Sequence, residues 1–307
     1  MTRICVIGCG AVGSLFAAHL ARLEGVEVWA YDVSKPHVDA INRAGLRLSG
    51  AEDFTAKLRA SNDAAQIPRC DFGIVATKAI HTAGAIRQAA RVFDDKSAIC
   101  SVQNGVGNEE LIAEHVKYVI RGTTFPAGHL VEPGHVGYDI KGDTWIGPFE
   151  PANTPMDMVE QLGAVMTRSG MNTIVLSDAR GAQWTKLIFN AATNPVGALT
   201  RLHHSAATRF GPTGDLFEAL IREGEAVAKA QGITLHGDPR EMVRKGAQAP
   251  GEHKASMLQD VEAGRQTEVD FMNGAIVKWG EKFGVPTPLN KMVWQLVKGL
   301  ERSFTNP

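Results

Sequence analysis

Residues 4–32 read ICVIGCGAVGSLFAAHLARLEGVEVWAYD, and the order of residue types in this stretch decides the fold. The apolar run from Arg3 to Ile7 predicts a strand, the spacing from Ala11 to Glu24 a helix, and Glu27 to Tyr31 a second strand. Between the first strand and the helix, Gly8, Gly10 and Gly13 stand in GxGxxG spacing. Gly8 permits a tight turn, Gly10 lets the main chain approach a pyrophosphate, and Gly13 lets the helix pack close to the strand, with helix N–H groups aimed at phosphates. A lone motif of this kind is weak, but here the strand, the helix and an acid after the second strand all accompany it. The turn Gly8, Cys9, Gly10, Ala11, Val12 and Gly13 is therefore read as a dinucleotide-binding turn. Asp32 stands where a carboxylate hydrogen-bonds a ribose 2'-hydroxyl, which favours NAD; a 2'-phosphate would meet like charge unless Lys35 or Arg43 offsets it. The plainer reading of Asp32 is a turn residue opening the next helix.

Outward from this stretch, strand-like runs at Asp71–Ala76 and Ser97–Gln103 flank a helical pattern near Ile80–Phe93. That alternation predicts an α/β domain with a Rossmann-like doubly wound sheet. The Gly-, Pro- and Thr-rich text from Lys117 to Phe149 reads as antiparallel strands finishing the domain, followed by one more helix and a short strand at Asn172–Leu176. After Ser177 apolar residues recur at helical spacing and strand-like runs stop. The expectation is two domains, 1–177 for the dinucleotide and 178–307 all-helical for substrate and catalysis.

A chain of 307 residues, with 44% hydrophobic and 21% charged residues, is long enough for two cores. Its formal net charge of -1 provides no field that would gather nucleic acid or an anionic membrane. Small ligands are the expected partners; a homodimer is compatible with the sequence but not fixed by it. Cys5, Cys9, Cys70 and Cys100 lie in or beside strand-like runs, as buried thiols of a reducing compartment do, and the ten histidines show no metal-ligand spacing. No metal is expected. No segment resembles a cleaved leader or approaches ~18 uninterrupted apolar residues, so the expected location is the cytoplasm.

In the second half, QWTKLIFNAATNPVGAL places Lys186, Asn190 and Asn194 four residues apart, on one helix face, with Trp184, Leu187, Ile188 and Ala191 opposite. Such a stripe suits a solvated outer face, yet asparagine is a poor choice inside an exposed helix because its side chain competes for backbone hydrogen bonds. Two of them in register with a lysine point to ligands. Pro195 is expected to end or kink the helix just past Asn194. Reduction of a ketone leaves charge on oxygen, and a lysine with its pKa drawn toward neutrality supplies the proton. Further on, ASMLQDVEAGRQTEVDFMNG carries Ser256, Asp260, Glu268 and Asn273. Thr267 and Asp270 have capping-box spacing, which would put Glu268 in the first turn of the last long helical region. Lys78 and Asn104 follow successive strands, at the sheet edge where ligands of doubly wound folds lie.

VIGCGAVGSLFAAHLAR, TKA at Thr77–Ala79, QNGVGNEEL, the run from Trp184 to Pro195 and SMLQDVEAGRQTEVDFMNG together resemble the ketopantoate reductases (2-dehydropantoate 2-reductases) along nearly the whole chain. The resemblance implies a Rossmann domain joined to a helical one, substrate in the cleft between them, and hydride delivered from NADP or NAD to C2 of a 2-keto acid. By position it implies Lys186 as general acid and Glu268 as the acid that steadies it. It implies Asn190, Asn194 and Ser256 as substrate ligands, Lys78 and Asn104 on the nicotinamide side, and Gly128 where backbone approaches the cofactor. Two positions depart from the family pattern: Tyr31-Asp32 replaces a basic residue typical of NADPH users, and His253 replaces an asparagine three residues before the substrate serine. These departures point to NAD-using relatives of the D-mandelate dehydrogenase type, acting on other branched or aromatic 2-keto acids. Further readings are a non-catalytic dinucleotide sensor, which has no need of a proton donor, and a 3-hydroxyacid or 6-phosphogluconate-type dehydrogenase, for which a basic phosphate cluster is lacking.

Overall fold

The computed structural model describes residues 1–248 and 254–304. The chain divides into two compact units, one of Met1–Gln103 with Asn108–Ala179, the other of Asn104–Gly107 with Arg180–Pro307.

The first unit runs β1 (Thr2–Ile7), α1 (Ala11–Leu20), β2 (Val26–Tyr31), α2 (Lys35–Ala44), β3 (Leu46–Gly50), β4 (Phe54–Ala56), β5 (Arg59–Ser61), β6 (Phe72–Val75), α3 (Thr82–Ala89) and β7 (Ala98–Ser101). It continues with α4 (Asn108–Ala113), β8 (Tyr118–Thr124), β9 (Ala127–Glu132), β10 (His135–Ile140), β11 (Thr144–Pro148), α5 (Met156–Arg168) and β12 (Thr173–Val175). The main sheet has the order β12-β11-β8-β7-β6-β1-β2-β5, parallel except where β11 meets β8. Ile4 and Val6 of β1 pack into one apolar cluster while Cys5 and Ile7 pack into another with Ile86, Ile99 and Val119. Covering both faces explains why β1 reads as an unbroken apolar run instead of alternating.

The stretch 117–149 forms antiparallel pairs, β8 with β11 and β9 with β10, but the two pairs serve different sheets. Its first and last strands, β8 and β11, complete the main sheet, whereas β9 and β10 join a second sheet of order β4-β3-β10-β9. Here β10 pairs in parallel with β3, nearly ninety residues earlier in the chain, a partner that local spacing cannot announce.

The second unit is helical throughout its described residues: α6 (Arg180–Thr200), α7 (His204–Arg209), α8 (Gly211–Ala230), α9 (Pro239–Gln248), α10 (Ser256–Glu262), α11 (Asn273–Phe283) and α12 (Pro288–Ser303). Pro195 does not end α6, which runs on to Thr200. An interior proline costs about 3 kcal/mol. Beyond it Val196 and Ala198 are buried in the helical core, and burying a valine side chain alone returns about 1.5–3 kcal/mol. Continuing the helix therefore wins. No described helix is long and apolar enough to cross a membrane.

Candidate active site

The three glycines of the first turn are required for three different reasons. Gly8 has φ +85°, and a Cβ there would lie 2.5 Å from Thr77 Cγ2, so the turn sits hard against the exit of β6. A Cβ on Gly13 would lie 1.9 Å from the Gly8 carbonyl oxygen, which fixes how closely α1 approaches β1. Around Gly10 nothing of the protein lies within 4 Å of such a Cβ. That open space at the start of α1, whose N-cap carries no side-chain hydrogen bond, fits the pyrophosphate of a dinucleotide.

Asp32 closes this turn from the end of β2. Its Oδ2 accepts the Cys9 N–H at 2.8 Å and its Oδ1 accepts the Ser34 N–H at 2.8 Å. The turn-forming role is thus real, and the same carboxylate also anchors the glycine turn. Lys35, which could have offset a phosphate here, is exposed and held by Asp39 at 2.7 Å. Behind Asp32 lies His37, buried, whose Nδ1 accepts the Gly134 N–H at 3.0 Å. Burial lowers the His37 pKa despite the neighbouring Asp32 charge. Nothing in the polar, helical text around His37 marks it beforehand. Burial likewise pushes the Cys9 thiol well above its ordinary range, and all four cysteines are free and buried.

Lys78 stands three residues after the end of β6 and is the N-cap of a short 3-10 turn, Ala79–His81. The neighbouring motif holds that turn: Gln103 Nε2 donates to the Thr77 carbonyl at 2.9 Å and to Thr82 Oγ1 at 2.7 Å, and Thr82 in turn donates to Asn108 Oδ1 at 2.9 Å. Gln103 opens the QNGVGNEEL motif, beside Asn104, and its spacing alone does not mark this role. Gly128 is the second residue of β9, where a Cβ would lie 2.3 Å from the Gly137 carbonyl oxygen; cross-strand packing requires a glycine there.

In the helical unit α6 carries Lys186, Asn190 and Asn194 on one face. Both asparagines are buried, so this is no solvated outer stripe. Burial draws the Lys186 pKa down to about 8, and Glu268 opposes that shift. A half-buried, partly desolvated amine under the charge of a carboxylate can therefore exchange a proton near neutral pH. Glu268, itself buried, reaches its place differently from the expected capping box. It precedes a 3-10 turn, Val269–Phe271, and the long helix starts only at Asn273. The N–H and hydroxyl of Thr267 both donate to Glu301 Oε1, at 2.7 and 2.6 Å, while Asp270 accepts from Trp294 Nε1 at 2.7 Å and Lys298 Nζ at 2.9 Å. Clamps to α12 on either side of Glu268 replace the local cap, because charged partners on a neighbouring helix were available to both residues.

Ser256 is the first residue of α10 and is not its cap, which is Ala255. Asn104 belongs by packing to the helical unit: the next residues insert there, the Val106 N–H donating to the Phe271 carbonyl at 3.0 Å. His253 lies outside the described residues. Among the described residues no group of three His, Cys, Asp or Glu could hold a metal ion.

Two family models match the chain, "Ketopantoate reductase PanE/ApbA" over residues 4–151 and "Ketopantoate reductase PanE/ApbA C terminal" over residues 178–301. The 2-dehydropantoate 2-reductase of Archaeoglobus fulgidus is 34% identical over 299 residues, spanning 97% of this chain and 98% of that protein. Among solved structures, a PanE/ApbA family ketopantoate reductase from Ralstonia eutropha JMP134 is similar with TM-score 0.88 and 28% identity, covering 99% of this chain and 100% of that one. D-Mandelate dehydrogenase with NADH and anilino(oxo)acetate is similar with TM-score 0.90 and 25% identity over the same shares.

Proposed function

The chain belongs to the ketopantoate reductase family, and from that premise we propose that it is an NAD(P)H-dependent oxidoreductase reducing a small 2-keto acid, 2-dehydropantoate foremost, with Lys186 as general acid. The observation that carries the role of Lys186 is its partly desolvated amine, at a pKa of about 8, under the charge of Glu268 and in register with two buried asparagines. When bound, a reduced nicotinamide supplies the hydride for C2. As charge grows on the carbonyl oxygen, protonated Lys186 gives it a proton, leaving a hydroxyl on the product and a neutral amine that solvent recharges. Glu268 keeps the amine from losing its proton too early. Asn190 and Asn194 orient the substrate's polar groups, and Ser256 binds its carboxylate. In the other unit Gly8 to Gly13 hold the pyrophosphate, with Lys78 toward the nicotinamide; Asn104, which packs with the helical unit, is assigned to the nicotinamide side as well. Oxidation of NADH and NADPH against a panel of 2-keto acids tests this reading; no turnover with any member would end it.

NAD is the cofactor we assign, because Asp32 presents a carboxylate where a 2'-phosphate would lie and Lys35, the lysine nearest to it in the chain, is engaged by Asp39. Asp32→Ala is expected to lower kcat/KM for NADH by about 10- to 100-fold, the worth of a charged hydrogen bond, and to spare NADPH. Equal loss with both cofactors would mean that only the bond to Cys9 matters. The same departure from the NADPH pattern keeps aromatic and other branched 2-keto acids in the panel, as substrates of the D-mandelate type. A cytoplasmic location and a homodimer complete the proposal, supported by four free buried thiols and by exposed Met292 and Leu296 one turn apart on α12; sedimentation velocity checks the dimer.

A further inference from the structure

Pro195 interrupts α6 in the turn that carries the two asparagines, and something must replace the bond it removes. In a regular helix the N–H of residue 195 would donate to the carbonyl of Ala191; proline has no N–H, and its ring crowds that carbonyl. The residue before a proline is also pushed away from helical backbone angles, and here that residue is Asn194. Both effects fall on the substrate-facing side chains.

The carbonyl of Ala191 is nevertheless satisfied: Asn273 Nδ2 donates to it at 2.9 Å. Asn273 is fully buried, so water cannot take over if the amide is lost. The same Nδ2 donates to Asn290 Oδ1 at 3.0 Å, and Asn290 Nδ2 donates to Glu223 Oε2 at 2.8 Å. Glu223 also accepts the N–H groups of Leu289 and Asn290, each at 2.9 Å, in the first turn of α12. A carboxylate only accepts, so Asn290 must turn its nitrogen to Glu223 and its oxygen to Asn273. Asn273 must then present nitrogen, and its remaining hydrogen faces Ala191. The orientation of the amide is thus dictated from Glu223 across two helices. Met272, the preceding residue, brings its Sδ to 3.9 Å from Asn194 Nδ2, so one short segment meets α6 at two points in the turn that leads into the proline.

We propose that Asn273 is a positioning residue, donating to Ala191 the hydrogen bond that Pro195 cannot, and so keeping Asn190 and Asn194 in helical phase with Lys186. This rests on the substrate role proposed above for those two asparagines.

Four proteins test it: wild type, Asn273→Leu, Pro195→Ala and the double variant. Asn273→Leu keeps the volume but removes the donor; kcat/KM for the 2-keto acid is expected to fall on the order of 10- to 100-fold, as for ångström-scale misplacement, with KM for NAD(P)H unchanged. Pro195→Ala restores a backbone N–H at position 195, so it is expected to be near wild type alone and to return most of the lost activity in the double variant. A merely space-filling Asn273 would show no such dependence on residue 195. Unchanged kinetics in Asn273→Leu, or a loss that Pro195→Ala does not repair, overturns the proposal. If Asn273→Leu does not fold, the double variant must; if neither folds, the proposal fails. Should wild type reduce no 2-keto acid, the proposed function fails separately. Thermal midpoints then decide the bond: a loss in Asn273→Leu reversed by Pro195→Ala supports it, and a loss indifferent to residue 195 overturns it.

Discussion

Lys186→Ala is expected to lower turnover of the 2-keto acid by about 100- to 10,000-fold, the range for loss of a positioned general acid, while NAD(P)H affinity stays nearly unchanged. The pH dependence carries the sharper signature. Burial lowers the Lys186 pKa from its ordinary 10.5 to about 8, with Glu268 pulling the other way. Reduction needs the protonated amine, so kcat/KM should be level below pH 8 and fall as pH rises through that value. Oxidation of the 2-hydroxy acid needs the neutral amine and should rise over the same range. Glu268→Gln removes the charge that favours the ammonium, so the alkaline limb should move to lower pH. A limb that stays put in Glu268→Gln, or turnover unaffected by Lys186→Ala, would remove Lys186 from the chemistry.

The second large effect is a contrast between two glycines three residues apart. Gly13→Ala drives a Cβ to 1.9 Å from the Gly8 carbonyl oxygen and 3.3 Å from the Ala76 Cβ, and neither neighbour is a flexible side-chain end. Helix α1 must shift away from β1, at about 1–3 kcal/mol of strain, with a lower thermal midpoint. Losing one or two N–H contacts to a pyrophosphate should weaken NAD(P)H binding by about 100-fold. Gly10→Ala places its Cβ in open space, so the thermal midpoint should hold while cofactor binding still weakens. Fluorescence titration with NADH, together with thermal melts of both variants, separates the two. A Gly10→Ala protein that binds cofactor as wild type does would show that the phosphate lies elsewhere.

Much of this molecule is legible without coordinates because its signals are local. The strand, glycine turn, helix and acid of residues 4–32 are read from near neighbours, since the turn's φ and the helix approach depend on residues within one βαβ unit. The four-residue spacing of Lys186, Asn190 and Asn194 is likewise a property of one helix.

Tertiary structure decided whatever depends on a partner distant in the chain. Pro195 reads as an end or a kink, and of the two the end does not occur, because Val196 and Ala198 find a core and Asn273 finds the orphaned carbonyl. Thr267 and Asp270 read as a mutual cap, yet each prefers a partner on α12. Strands β9 and β10 pair antiparallel with each other, but the sheet they join is decided by β3, with which β10 pairs in parallel. Even the lowered pKa of Lys186 exists because packing desolvates the amine, and the charge that limits the shift, Glu268, comes from eighty-two residues further along. Spacing along a chain sets which face a side chain occupies; which donors, charges and apolar surfaces meet that face is settled only when distant segments pack.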